Sequence, residues 1–202
     1  GFPTMATSTD FFSKFEPTAG EPWKLADGRF FERSFEIVLG AAAAKGSGLR
    51  MGQQVFLTHG SGASREGGEP DEHAGHVHTE FPFKVVGILE PTGSAHDRAL
   101  FVDLESSWIL HAYDRRERAG IGGTTTAADL TDEDRKVTGI LLRLPTRAGS
   151  DASAAMQQQF DTLRRDTAIV VAQPAQQIEK LFEIVSNVDG IFIGMAVVVL
   201  FS

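Results

Sequence analysis

The densest chemistry in this chain lies in His73-x-x-His76-x-His78, with His59, Asp71, Glu72 and Glu80 close by in sequence. A flexible loop could turn those three imidazoles toward one Zn²⁺, with an acidic residue as fourth ligand. Such a set of imidazoles and carboxylates suits zinc, copper or nickel, and with 0 cysteines there is no thiolate chemistry to compete. Ordering a Gly/Ser/Glu-rich loop around a metal costs entropy. A solvated, histidine-rich loop explains the same residues without a metal.

Other constellations are weaker. His96 and Asp97 adjoin in a turn, and His111 follows Trp108, but a Ser/His/Asp hydrolase would want a Gly-x-Ser-x-Gly elbow and none is present. Asp103 reads as a helix cap and Glu105 as a solvated helix position rather than as a catalytic carboxylate pair. Gly40-Ala-Ala-Ala-Ala-Lys45-Gly46-Ser47 looks like a phosphate loop, yet its Lys precedes the Gly whose backbone would have to approach phosphate. A short helix with a glycine stop accounts for it. The reading is therefore non-enzymatic.

The formal net charge of -8 argues against a nucleic-acid surface, which needs a basic face. With 42% hydrophobic residues over 202 positions, the chain can fill one large core or two small ones. Trp23, Trp108, Phe11, Phe12, Phe30 and Phe31 read as core aromatics.

The elements that must position these residues centre on Lys84–Trp108. Val85, Val86, Ile88 and Leu89 form a strand, Glu90–Gly93 a turn, and Ala99–Val102 a second strand. Asp103 then caps a helix carrying Trp108 inward. Upstream, Phe2–Ala6 is a short apolar segment, and Ser8-Thr9-Asp10 caps a helix bearing Phe11, Phe12 and Phe15. Glu21–Arg33 reads as loop, Phe35–Leu39 as strand, Ala41–Lys45 as one or two helical turns, and Gln53–Leu57 as strand. Thr58–Thr79 reads as an unpacked loop and Ala119–Asp134 as a flexible stretch. Val137–Leu144, with Ile140, Leu142 and Leu144 on one face, is expected to be a strand. A helix from Ser150 to Arg165 and a strand over Thr167–Ala172 would complete a crossover unit.

From Pro174 an amphipathic helix is expected, with Ile178, Leu181, Phe182, Val185 and Val188 at i, i+3, i+4, i+7 and i+10. It runs into the all-round apolar segment Ile191–Phe201. At about 1.5 Å rise per residue that segment covers roughly half of a ~30 Å hydrocarbon core, so it reads as the start of a membrane helix. Because the chain also opens at Gly1 without an initiator Met, it is expected to be a piece of a longer protein.

Glu36-Ile-Val-Leu-Gly40, Gly52-Gln-Gln-Val-Phe56, Phe83-Lys-Val-Val-Gly-Ile-Leu89 and Ala99-Leu-Phe-Val-Asp-Leu104 occur in an order that resembles the periplasmic domain of FtsX/MacB-type ABC transporter permeases. These are the type VII, mechanotransmission permeases. Asp103 stands where that pattern often has Pro, and the histidine-rich stretch 59–78 departs from commoner members. The resemblance implies an α+β fold in two parts. A β-rich, barrel-like (Sabre-like) part would span 21–112. An α/β, strand–helix–strand (Porter-like) part would combine residues 1–20 with 136–190, reached through a flexible connection at 113–135. The membrane helix would begin over 191–202. It further implies a bacterial inner-membrane location with this domain periplasmic, a separate cytoplasmic ATPase subunit that binds ATP, and a second permease copy. A periplasmic partner or cargo would meet the domain, and Ile178, Leu181, Phe182, Val185 and Val188 would transmit motion.

Overall fold

The computed structural model describes residues 1–18, 20–58, 77–142, 158, 160–168 and 170–172. Two compact units result, Gly1–Arg143 and Leu144–Ser202. In the first, the strands are β1 (Thr4–Thr7), β2 (Leu25–Gly28), β3 (Glu36–Leu39), β4 (Gln54–Val55), β5 (Phe83–Leu89) and β6 (Leu100–Asp103). The α-helices are α1 (Asp10–Lys14), α2 (Ala41–Ser47) and α3 (Leu104–Arg118).

All six strands join one sheet in the order β1-β6-β3-β5-β2, with β4 also on β5. β3 runs parallel to β5 and antiparallel to β6, while β1 runs parallel to β6. β5 carries β2 on its C-terminal half and β4 on its N-terminal half, both antiparallel. The mixed α+β architecture expected from the sequence is present.

Side chains alternate across the central strands, as the two-residue period of a pleated strand demands. Ile37, Leu39, Phe83, Val85, Leu100 and Val102 pack with Ala43 of α2 and with Ile109 and Leu110 of α3. On the opposite face Val38, Val86, Leu89 and Phe101 pack with Phe11, Phe12, Trp23 and Phe31. The aromatic layer is tight, with Phe11, Phe12 and Trp23 ring centres 5.5–5.9 Å from that of Phe101. Because both faces are covered, the strands read as continuous apolar runs rather than as alternating ones.

Several expectations hold and several need correction. Asp103 caps α3, its carboxylate accepting from Ser106 N at 2.9 Å and from the Ser106 hydroxyl. Trp108 is only partly buried rather than turned fully inward, and Ser106, Ile109, Leu110 and Ala112 form the buried stripe. Glu21–Arg33, expected as loop, contains the edge strand β2. Its approach to β5 pairs Gly28 with Gly87, where a Cβ on Gly87 would overlap the Arg29 carbonyl. Residues 1–18 supply β1 to this sheet and α1 to the aromatic layer on its face. The stretch 119–134 is stapled to α3: Arg115 reaches Asp134 at 2.9 Å and Arg116 reaches Asp129 at 2.7 Å.

Residues 137–142 form no strand, and Ile140 is 77% exposed. In the second unit, 160–164 are helical, in agreement with the expected helix where it is described. The described part of Thr167–Ala172 is not a strand, and Val170 is 98% exposed. Apolar β-branched content makes a segment suitable for a ladder, but a strand also needs a neighbour to donate and accept its hydrogen bonds.

The entry to β3 depends on one buried carboxylate. Glu36 takes a forked pair of hydrogen bonds from Arg29, at 2.5 and 2.7 Å, and further bonds from Glu32 N and Arg33 N at 2.9 and 3.2 Å. The Arg29 guanidinium and these amides outweigh burial and hold the Glu36 carboxyl at about 2. With the folded value depressed, this contribution is present above the ordinary 4.5 and is lost as pH falls toward about 2. Glu36→Gln is expected to lower stability at neutral pH by about 2 kcal/mol and to flatten the acid limb over that window. Urea unfolding across the acid range checks this, and an acid limb unchanged by the substitution would contradict it.

Candidate functional site

The structure sorts the candidate residues by location. His73 and His76 lie outside the described residues, as do Ile178, Leu181, Phe182, Val185, Val188 and the apolar run Ile191–Phe201. His78 is described, and it does not sit on a solvated loop. Just after the Thr58–Val77 bridge its amide donates to Leu57 O at 3.1 Å, and the ring is 1% exposed. It stands edge-on to Tyr113, with Nδ1 3.8 Å from Asp114 Oδ1. With Thr4, Thr58 and Ser107 it lines a cavity of about 100 Å³ beside β1 and α3. Among the described residues no group of three or more His, Cys, Asp or Glu side chains could hold a metal ion.

His96 and Asp97 do not face each other as an acid–base pair. The Asp97 carboxylate accepts from Thr92 N and Thr92 Oγ1, each at 2.7 Å, and from Gly93 N at 2.9 Å. Burial pushes Asp97 up, but these bonds and the nearby His96 prevail and hold it below the usual carboxylate range. The His96 ring packs against Phe11, Trp23 and Phe101, with Nδ1 3.0 Å from Ser94 Oγ. The pair staples the link between β5 and β6, in which Gly93 adopts φ 70 as the turn requires.

One open feature was not visible in the spacing of residue types. A groove of about 450 Å³ forms where the parallel strands β1 and β6 end, at Thr7 and Asp103. Thr7, Ser8 and Thr9 line one side, and Asp103, Leu104, Glu105 and Trp108 line the side formed by the start of α3. The loop Phe31–Ser34 contributes Phe31, Glu32, Arg33 and Ser34. Ser34 Oγ donates to Glu105 Oε1 at 2.6 Å, and Trp108 Nε1 donates to Lys136 O at 2.9 Å. Burial raises the Asp103 carboxyl, with the Ser106 hydrogen bonds opposing that shift.

Behind the groove, Phe35 adopts φ 63, a left-handed backbone that an aromatic residue rarely takes. Its amide donates to Ser106 Oγ at 2.6 Å, and its ring stacks on Phe81 at 5.3 Å. The capping set Asp103–Ser106 thus also fixes the loop that shapes the groove. No sequence rule flags a phenylalanine for positive φ; of the elements around the groove, β6 and the Asp103-capped start of α3 were foreseeable, and the strand β1 was not.

Asp97, Asp103, Asp129 and Asp134 are engaged in capping and stapling, and the sheet is covered on both faces. That is the build of a scaffold. Residues 3–188 match the model of the MacB-like periplasmic core domain, and the chain belongs to that family. It is accordingly a periplasmic domain of a MacB/FtsX-type ABC transporter permease, a membrane transport component. No curated protein and no solved structure matches the chain significantly. Among the described residues no helix is long and apolar enough to cross a membrane.

Asp97→Ala removes three hydrogen bonds to an ionised acceptor and is expected to lower stability by about 2 kcal/mol. Trp23 emission should report a loosened aromatic layer. Unfolding curves that superimpose on those of the parent would contradict the stapling role.

Proposed function

We propose that this domain is the outer end of a lever, carrying ATP-driven motion from the membrane to a substrate or partner. One observation supports the reading above others: the family match runs through residue 188, to the end of the amphipathic repeat Ile178–Val188. One-sided apolar spacing over that stretch suits a helix that packs against a neighbour while its other face stays wet. The apolar run that follows would enter the bilayer, and the β-rich part up to about Ala112 would meet the partner or cargo. A cytoplasmic ATPase subunit would drive the movement, and a second permease copy would form the opposing arm.

The doubly covered sheet of the first unit suits that role, because a lever end must pass on displacement rather than absorb it. Leu181→Asp and Phe182→Asp in the complete permease, assembled with its ATPase, are the tests. Both are expected to bring transport close to background while the protein still reaches the membrane and the ATPase still binds. Undiminished transport in either variant would contradict transmission through this helix.

A further inference from the structure

We infer that the groove at the ends of β1 and β6 is a docking site for an extended segment of a partner protein, one that places a basic side chain beside apolar ones. The volume, about 450 Å³, falls within the range of natural ligand sites. Yet the groove is open along its length and does not enclose a small molecule on all sides, as a metabolite pocket does. An extended polypeptide suits such a trough.

The chemistry of the walls selects the occupant. Phe31, Leu104 and Trp108 supply apolar surface that side chains can cover. Glu32 and Glu105 add carboxylates that the fold leaves accessible. Arg29 is engaged by Glu36 and stands 3.8 Å from Glu32, whose side chain remains 70% exposed. Glu105 is exposed, and its carboxylate accepts from Ser34 Oγ. Asp103 accepts from Ser106 as the cap of α3, and among the described residues Arg33 is the one cation lining the groove. The balance of charge there is negative, as it is for the whole chain at -8, and it favours a basic ligand over an acidic one. The same sign disfavours an anionic lipid surface.

The groove is also shaped in advance of any ligand. Ser106 Oγ holds Phe35 in its left-handed conformation and Glu105 holds Ser34, so the loop need not be ordered on binding. Non-glycine residues at positive φ concentrate at ligand clamps and similar sites, where the surrounding structure has to maintain them.

The inference rests on the permease reading only in supposing that this domain meets a protein. Its test is independent of transport. A phage-displayed random heptapeptide library is panned on the full chain in detergent, and enriched sequences are synthesised and titrated. Enrichment should combine Lys or Arg with Leu, Phe or Trp. The peptides should shift the Trp108 indole resonance, and E32Q/E105Q should weaken binding roughly tenfold. Both substitutions lie at exposed positions, and an unchanged unfolding curve verifies the fold. No enrichment, enrichment of acidic or wholly apolar peptides, or equal binding by E32Q/E105Q would overturn the assignment. So would a shift of the same resonance by phosphatidylglycerol vesicles and not by the peptides. None of these results bears on residues 178–188, whose variants fail or succeed separately.

Discussion

The structure depends on a four-residue strand being buried on both faces. Glu36–Leu39 lies between β5 and β6, and Ile37, Val38 and Leu39 are each 0% exposed. Ile37 and Leu39 fill the layer under α2 and α3, while Val38 fills the layer of Phe11, Phe12 and Trp23. Neither layer can form without it, so the two cores are coupled through one backbone. A shift of one residue in register would exchange the two sets of side chains and misfit both layers.

Carboxylates that a search for chemistry would single out serve mostly to hold backbone in place. Glu36 fixes the approach to β3, Asp97 the link from β5 to β6, Asp103 the start of α3, and Asp134 the segment after α3. Asp134 is held well below the usual carboxylate range, chiefly by its forked bond with Arg115. Short strands separated by long connections leave many amides unmatched by sheet or helix, and buried amides require partners. The side chains supply them. This explains why a domain rich in Asp, Glu, Ser and Thr shows candidate pairs in its sequence and no acid–base arrangement among its described residues.

The central elements were legible because local and tertiary signals agree there. Phe83–Leu89 and Leu100–Asp103 are apolar, and Asp103 precedes a helix with a buried stripe. Leu25–Gly28 was missed because an edge strand reads Leu-Ala-Asp-Gly, with three of its four residues exposed. The described parts of 137–144 and 167–172 misled in the opposite way, since β-branched composition does not itself provide a ladder partner. His78 could not be placed from its neighbours in sequence: polar, glycine-rich residues precede it, but the chain turns it against Tyr113. The groove escaped for a related reason. It is assembled from three separated segments, and the residue that shapes it, Phe35, has a conformation its type does not suggest.

A permease domain built this way, with its sheet covered on both faces and residues 119–134 tied to α3, is expected to be stiff. Native-state hydrogen exchange on the intact chain measures that stiffness most directly. The account predicts that the amides of Ile37, Val38 and Leu39 exchange only through global unfolding, with the free energy found by urea denaturation, while edge strand β1 opens more easily. Exchange of those three amides through local opening, as fast as at Thr4–Thr7, would show that the central strand does not hold the domain together.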